Sequence, residues 1–200
     1  MENNSSFFTR IKPILIPTVV LVVICLVITA ALAGTNMLTE SRIKELEDQT
    51  QKDSMSEVLK AENYEDIDIV SGSEYKALDK DGNIIGYIFV NSVKGYGGDV
   101  KVMTGIKIDG TISAVKVLDA TSETPGLGQN TGKEAFYNRY SGLSAKSPIT
   151  VQKNGASKET NSIDAWTGAT ISSKAVTAAV NKALERFNEI SENEEASKDE

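Results

Sequence analysis

The residues best equipped for chemistry lie in two short runs. In the first, Asp164-Ala165-Trp166-Thr167-Gly168-Ala169-Thr170 gathers hydroxyls and small residues directly before an apolar-periodic stretch, and Ser172 and Ser173 follow. Backbone N–H groups and the dipole at a helix start favour an anion there. Gly168 and Ala169 leave room for a bulky group to approach the backbone. The same residues also suit a plain N-cap, a position Ser and Thr favour in any helix. The second run, Glu123-Thr124-Pro125-Gly126-Leu127-Gly128, has the Pro-then-Gly order of a type II turn, with φ > 0 on the glycine. By itself it is a turn. Glu123 could hydrogen-bond a ligand or pin its own turn, and the turn is the simpler reading.

Two aromatics stand near these runs. Tyr96 lies in the loop Gly95-Tyr96-Gly97-Gly98, and Trp166 lies inside the first run. Either could stack on a flat ring, but a lone Trp is more often a core anchor with its N–H satisfied, so Trp166 is expected to pack in the core.

What the chain lacks narrows the chemistry further. It has no histidine, and its one cysteine, Cys25, sits in an apolar run. The polar part therefore offers no usual ligands for an Fe–S cluster, a structural zinc or a His- or Cys-ligated haem. No metal site is expected. Cys–His and Ser–His–Asp catalysis are excluded, and no disulfide can form within that part. No catalytic residue is assigned, and electrons passing through this domain would need an organic carrier. The formal charge of −7 is concentrated at the C-terminus, where Glu185, Glu189, Glu192, Glu194, Glu195, Asp199 and Glu200 face only Arg186 and Lys198. With the rest near balance and no basic stripe, no nucleic-acid partner is expected.

The elements that must position these residues emerge from pattern. Residues 13–33 form an uncharged apolar run that would span roughly 30 Å as a helix, enough to cross the hydrocarbon core once. Arg10 and Lys12 precede it, while Glu40, Glu45, Glu47 and Asp48 lie beyond it. The positive-inside rule thus leaves residues 1–12 in the cytoplasm and exports the residues after the run. Ala31-Leu32-Ala33 would fit a cleaved signal peptide, but the run is longer than the usual apolar region of about 7–15 residues, so an uncleaved anchor is favoured. Cys25 comes after Ile24 in mid-run, a poor place for lipidation, and reads as a small hydrophobe.

Residues 34–65 are rich in helix formers and predict a juxtamembrane helical segment, interrupted near Asp53-Ser54. Asp81-Gly82 divides strands at 75–78 and 84–91, and Asp109-Gly110 divides strands at 100–108 and 111–118; both are hairpin signals. A short helix is expected at 134–140 and a strand at 149–152. Ile171, Val176, Val180, Ala183, Leu184, Phe187 and Ile190 predict an amphipathic helix over 170–190. The fold class is α+β: one N-terminal transmembrane helix, then a domain over 66–190 with an antiparallel sheet and flanking helices. Residues 191–200 read as an acidic, disordered tail.

Asp164-x-x-Thr167-Gly168-Ala169-Thr170 is similar to the D-x-x-[ST]-G-A-[ST] signature on which a flavin transferase attaches FMN. With the anchor, Gly95-Tyr96-Gly97-Gly98, Glu123-Thr124-Pro125-Gly126-Leu127-Gly128 and the final helix in this order, the chain resembles the G subunit of the Rnf ion-translocating electron transport complex. The related C subunit of the sodium-pumping NADH:quinone reductase is similar in motif but longer.

The resemblance implies an FMN-binding domain carrying FMN as a covalent phosphoester on Thr170. Thr167, Gly168, Ala169, Asp164 and Ser172 of the signature, and Glu123, Thr124, Gly126, Leu127 and Gly128 of the turn, would form the cofactor site. It also implies a flavoprotein subunit in the cell (inner) membrane that relays electrons between ferredoxin and NAD while sodium ions or protons move. Its partners would be the other subunits of the complex and the transferase. Two other readings stand beside this one: a stand-alone extracytoplasmic flavoprotein reductase, and an unmodified single-pass envelope binding protein with Thr170 as a mere cap.

Overall fold

Glycine turns the corners of the sheet. The computed structural model describes residues 3–67 and 73–196, with side chains over 15–67 and 73–193. Gly82 (φ 81°) and Gly110 (φ 78°) adopt the left-handed conformation that glycine enters without steric cost. They close the two expected hairpins, β2 (Glu74–Leu78) to β3 (Ile84–Lys94) and β4 (Asp99–Lys107) to β5 (Ile112–Asp119). Asp79 Oδ1 accepts the N–H of Asp81 and of Asn83, and Asp109 Oδ1 accepts that of Thr111, so each aspartate braces its own turn. Residues 95–98 make the corner between β3 and β4, where the Gly95 N–H donates to the Gly98 carbonyl at 2.7 Å.

The resulting sheet has the order β1-β2-β3-β4-β5, antiparallel throughout. Its first strand, β1 (Asn63–Asp66), lies in the segment that the sequence assigns to a helix. Alternation along β3 sends Tyr87 and Phe89 to one face and Ile88 to the other, and all three are buried. The first face packs under α3 (Thr170–Ala196), with Val176, Val180, Ala183, Leu184 and Phe187 in a shared cluster. On the second face, Ala77, Ile88 and Met103 meet Met55, Val58 and Leu59 from the end of α1 (Asn3–Val58) and just beyond it. Each large apolar side chain removed from water in this way contributes about 1.5–3 kcal/mol.

Two strand glycines admit that helix end. A Cβ at Gly105 would meet Val58 Cγ1 at 2.6 Å and the Val58 carbonyl oxygen at 2.9 Å, and one at Gly86 would reach Leu59 Cδ2 at 2.9 Å. The chain divides into two units, residues 1–49 and 50–200. The second therefore starts ahead of residue 66, because the turns around Met55 and Val58 belong to its core. No break occurs near Asp53-Ser54, where α1 is continuous.

In the first unit α1 contains an uncharged stretch of mean hydropathy 2.9, long and apolar enough to cross a membrane. Its large side chains are bare, Leu21 at 62% and Leu26 at 64% exposure among them. Cys25 is exposed on it as well.

The rest of the second unit supports the start of α3. After a 3-10 turn (Gly128–Gly132), α2 (Glu134–Tyr137) and a second 3-10 turn (Asn138–Tyr140) realise the expected short helix at 134–140. β6 (Thr150–Gln152) pairs in parallel with β7 (Ser162–Asp164), a second small sheet. Helix α3 continues to Ala196 instead of ending at Ile190, so residues 191–196 of the expected tail are helical; residues 197–200 lie outside the described residues. Extending a formed helix needs no new nucleus, and Glu and Ala are good helix formers.

Candidate functional site

The first turn of α3 is fixed before any ligand is considered. Gly168 (φ 79°) lets the chain turn so that the Ala169 N–H reaches the Trp166 carbonyl at 2.9 Å. Ala169 then accepts the first helical bond, from the Ser173 N–H at 2.9 Å. The Ser173 hydroxyl donates to the same carbonyl at 2.8 Å and accepts the Trp166 N–H at 3.0 Å. Thr177 Oγ1 donates to the Ser173 carbonyl at 2.9 Å and lies 2.7 Å from the Tyr140 hydroxyl. Burial pushes the Tyr140 phenol well above its ordinary pKa, so it stays neutral and hydrogen-bonding. A ladder of hydroxyls thus ties the helix start to the core.

Thr170 is the first helical residue and is exposed. Its hydroxyl has no hydrogen-bond partner among the described residues, and it caps no backbone N–H; Ala169 occupies the capping position. The N–H groups of Thr170, Ile171 and Ser172 find no backbone acceptor among the described residues, as expected of an open helix start.

A cavity of about 470 Å³ opens on this surface. Gly168, Ala169, Thr170, Ile171 and Ser172 form one wall. Thr124, Leu127 and Gly128 form another, and Tyr96 stands at the side. The volume is in the range of small-molecule and cofactor sites, about 300–1,000 Å³. The Thr124–Leu127 wall is the expected turn: Gly126 has φ 76°, and the Leu127 N–H donates to the Thr124 carbonyl at 3.1 Å. Gly126 forms its apex and does not line the cavity; its carbonyl accepts from Asn130 Nδ2 at 2.6 Å.

Behind the two walls lies Glu123, 1% exposed. Oε1 accepts the N–H of Tyr96 at 2.7 Å and of Gly97 at 3.2 Å, and Oε2 accepts the Ser172 hydroxyl at 2.6 Å. Among the described residues the carboxylate makes no hydrogen bond to its own turn, contrary to the simpler reading of the sequence; it binds the tyrosine loop and the helix start. Gly95 and Gly128 make room for it, since a Cβ on either would collide with the carboxylate.

Not every candidate joins the cavity. Asp164 closes β7, and its Oδ1 accepts the Ala156 N–H at 3.0 Å. It lines a different cavity of about 350 Å³, together with Arg139 and Lys158. Thr167 is exposed beside the turn and does not line the 470 Å³ cavity. Trp166 packs against the main core, and Arg139 sits over its ring at 5.6 Å and over Phe136 at 5.4 Å.

Ile171 is the residue that periodicity misplaced. Expected on the buried stripe, it is 57% exposed and lines the cavity. Its five-residue offset from Val176 puts it roughly 140° around the helix, and that offset was the available signal. Tyr96, Leu127 and Ile171 are 69%, 46% and 57% exposed, an apolar rim to the cavity. The lining contains no carboxylate, amine or imidazole. Among the described residues, no group of His, Cys, Asp or Glu could hold a metal ion.

Residues 95–185 match the FMN-binding domain family, and residues 1–58 match the RnfG N-terminal region. The chain is 33% identical over 189 residues to the G subunit of the Na(+)-translocating ferredoxin:NAD(+) oxidoreductase complex of Acetobacterium woodii, covering 86% of this chain and 90% of that one. It is 34% identical over 179 residues to the G subunit of the ion-translocating oxidoreductase complex of Methanosarcina acetivorans, covering 84% and 90%. The crystal structure of Shewanella oneidensis NqrC resembles it with a TM-score of 0.50 at 22% identity, over 56% of this chain and 54% of that one. That likeness is one of fold.

Proposed function

We infer the function from one premise: this chain belongs to the RnfG family, the G subunits of ion-translocating oxidoreductase complexes. It is a membrane-anchored flavoprotein subunit that relays electrons through FMN inside a multi-subunit ferredoxin:NAD oxidoreductase, where redox chemistry drives sodium ions or protons across the membrane. The FMN is covalent, a phosphoester on Thr170. The domain is extracytoplasmic, since Arg10 and Lys12 lie before the apolar run and the acids after it.

The observation that carries this reading is the state of the Thr170 hydroxyl. It is exposed at an open helix N-terminus, on the wall of a cofactor-sized cavity, with no partner among the described residues to give up. The neighbouring hydroxyls are committed, Ser172 to Glu123 and Ser173 to Ala169. An FMN phosphoryl group here would meet the free N–H groups and the positive end of the helix dipole. Tyr96, Leu127 and Ile171 offer apolar surface for its ring, and FMN, when bound, supplies the electron chemistry that no side chain here can.

The same lining explains the need for a separate enzyme. Forming the ester requires a base to take the Thr170 proton and a flavin dinucleotide donor, whose phosphoanhydride bond breaks as the FMN phosphoryl moves to the threonine oxygen and the other nucleotide half leaves; the cavity wall offers no such base. A flavin transferase supplies the catalysis. A stand-alone reductase would need acid–base groups at its substrate, which this lining does not contain. The test is intact mass of the full chain made with and without a flavin transferase. One FMN added on the peptide holding Thr170, only when the transferase is present, is the expected result; an unmodified chain under loading conditions overturns it.

A further inference from the structure

Glu123 is the one buried carboxylate of the site, and it lies behind the cavity wall, where substrate or cofactor need not touch it. Its three hydrogen bonds join two distant parts of the chain: the amides of Tyr96 and Gly97 in one loop, and Ser172 in the first turn of α3. Among the described residues, no backbone bond joins that loop to α3. The space is shaped around the carboxylate, since Gly95 and Gly128 are both positions where a Cβ would strike it. A Gln in its place would carry an amide nitrogen, which can only donate, where one of the two oxygens now accepts. At least one of the three donors would then face another donor in a buried site.

Resting on the reading that Thr170 carries FMN, we propose that Glu123 is a positioning residue: by holding Ser172 and the Tyr96–Gly97 amides together, it keeps the helix start bearing Thr170 and the aromatic side of the cavity at one spacing. The proposal has two consequences. Loading of Thr170 depends on Glu123 although the carboxylate contacts no reacting atom. And the carboxylate, set behind Gly128 and Ser172 on the cavity wall, places negative charge near the bound flavin, which makes added electrons less favourable.

The experiment uses the full chain in detergent, as Glu123→Gln, Ser172→Ala and Ser172→Thr, each made with and without flavin transferase. In the unloaded protein, Glu123→Gln should speed hydrogen exchange at the Tyr96 and Gly97 amides while exchange in β4 is unchanged. Loading of Thr170 should slow at least tenfold in Glu123→Gln, and less in Ser172→Ala, which keeps the two amide bonds. Ser172→Thr, retaining a hydroxyl, should restore loading. In the loaded fraction, Glu123→Gln should move the flavin potential to more positive values. Wild-type exchange, loading rate and potential in Glu123→Gln would overturn the proposal. If Glu123→Gln does not fold, Ser172→Ala decides it: loading at the wild-type rate overturns it, and slowed loading restored by Ser172→Thr upholds it. Failure of the wild-type chain to take FMN would instead overturn the Thr170 reading, while amide exchange would still report on Glu123.

Discussion

Glu123 Oε2 accepts the Ser172 hydroxyl at 2.6 Å, joining residues 49 positions apart in sequence. Both ends are buried, at 1% and 2% exposure. A hydrogen bond to a charged group contributes about 1.5–3 kcal/mol, and leaving a buried partner unpaired costs a similar amount. The bond also sorts the hydroxyls at the start of α3. Ser172 points inward and is held there; Thr170, two residues earlier, lines the cavity with nothing to release.

The end of α1 is a structural part of the sheet domain. Gly105→Ala places a methyl against Val58 Cγ1 at 2.6 Å and the Val58 carbonyl oxygen at 2.9 Å. Overpacking of this kind costs about 1–3 kcal/mol. Thermal or denaturant unfolding of the second unit should show that loss, while the protein that does fold takes up FMN normally, since Gly105 meets Val58 on the face away from α3. Unchanged stability would mean that the helix end does not bear on β4.

The hairpins, the final helix, the apolar anchor and the Thr124–Leu127 turn were legible because each is encoded within a few consecutive residues or one unbroken pattern. Asp109-Gly110 announces its turn whatever the rest of the chain does. The role of Glu123 was not legible, because its partners lie 27 and 49 residues away and nothing local to the turn points to them. β1 was lost in a polar helix-like stretch, since a four-residue strand with three exposed positions shows no alternation. The parallel pairing of β6 and β7 was hidden for the same reason, with three residues in each strand. Thr170, in contrast, was singled out as a candidate through a short signature, and its place on a cavity wall required the fold.

Asp164 should affect loading without touching the flavin. Its Oδ1 holds the Ala156 N–H, and it lines a cavity other than the one at Thr170. Asp164→Asn keeps an oxygen able to accept that bond, so melting should stay within about 0.5 kcal/mol of wild type. The flavinylated fraction should fall, because the transferase signature loses its carboxylate, and the potential of the loaded fraction should not change. A redox titration showing a large shift would place the carboxylate's charge at the flavin after all.

The charges around the apolar run predict a topology with the domain outside the cytoplasm. Protease added outside intact cells should digest the domain beyond the apolar run and leave a small N-terminal fragment in the membrane. If the domain survives until the cytoplasmic side is opened, Arg10 and Lys12 do not set the orientation.

The strongest test is Thr170→Ala. The hydroxyl it removes makes no hydrogen bond among the described residues, and Ala169, not Thr170, caps the helix. The cost of a lost cap, about 1 kcal/mol, therefore does not apply, and Ala is a better helix former than Thr. Stability should stay within about 0.5 kcal/mol of wild type. Covalent flavin fluorescence should vanish from the denatured chain, because Ser172 and Ser173 are held by Glu123 and Ala169 and cannot replace the missing acceptor. Thr167→Ser should keep the fluorescence, since it preserves a hydroxyl at that position of the signature. The Thr170→Ala chain should still assemble, with the anchor and sheet untouched, but electron flow from ferredoxin to NAD and the ion gradient it drives should stop. Covalent FMN persisting in Thr170→Ala would refute the attachment site. FMN lost with coupled electron transfer intact would remove this subunit from the electron path.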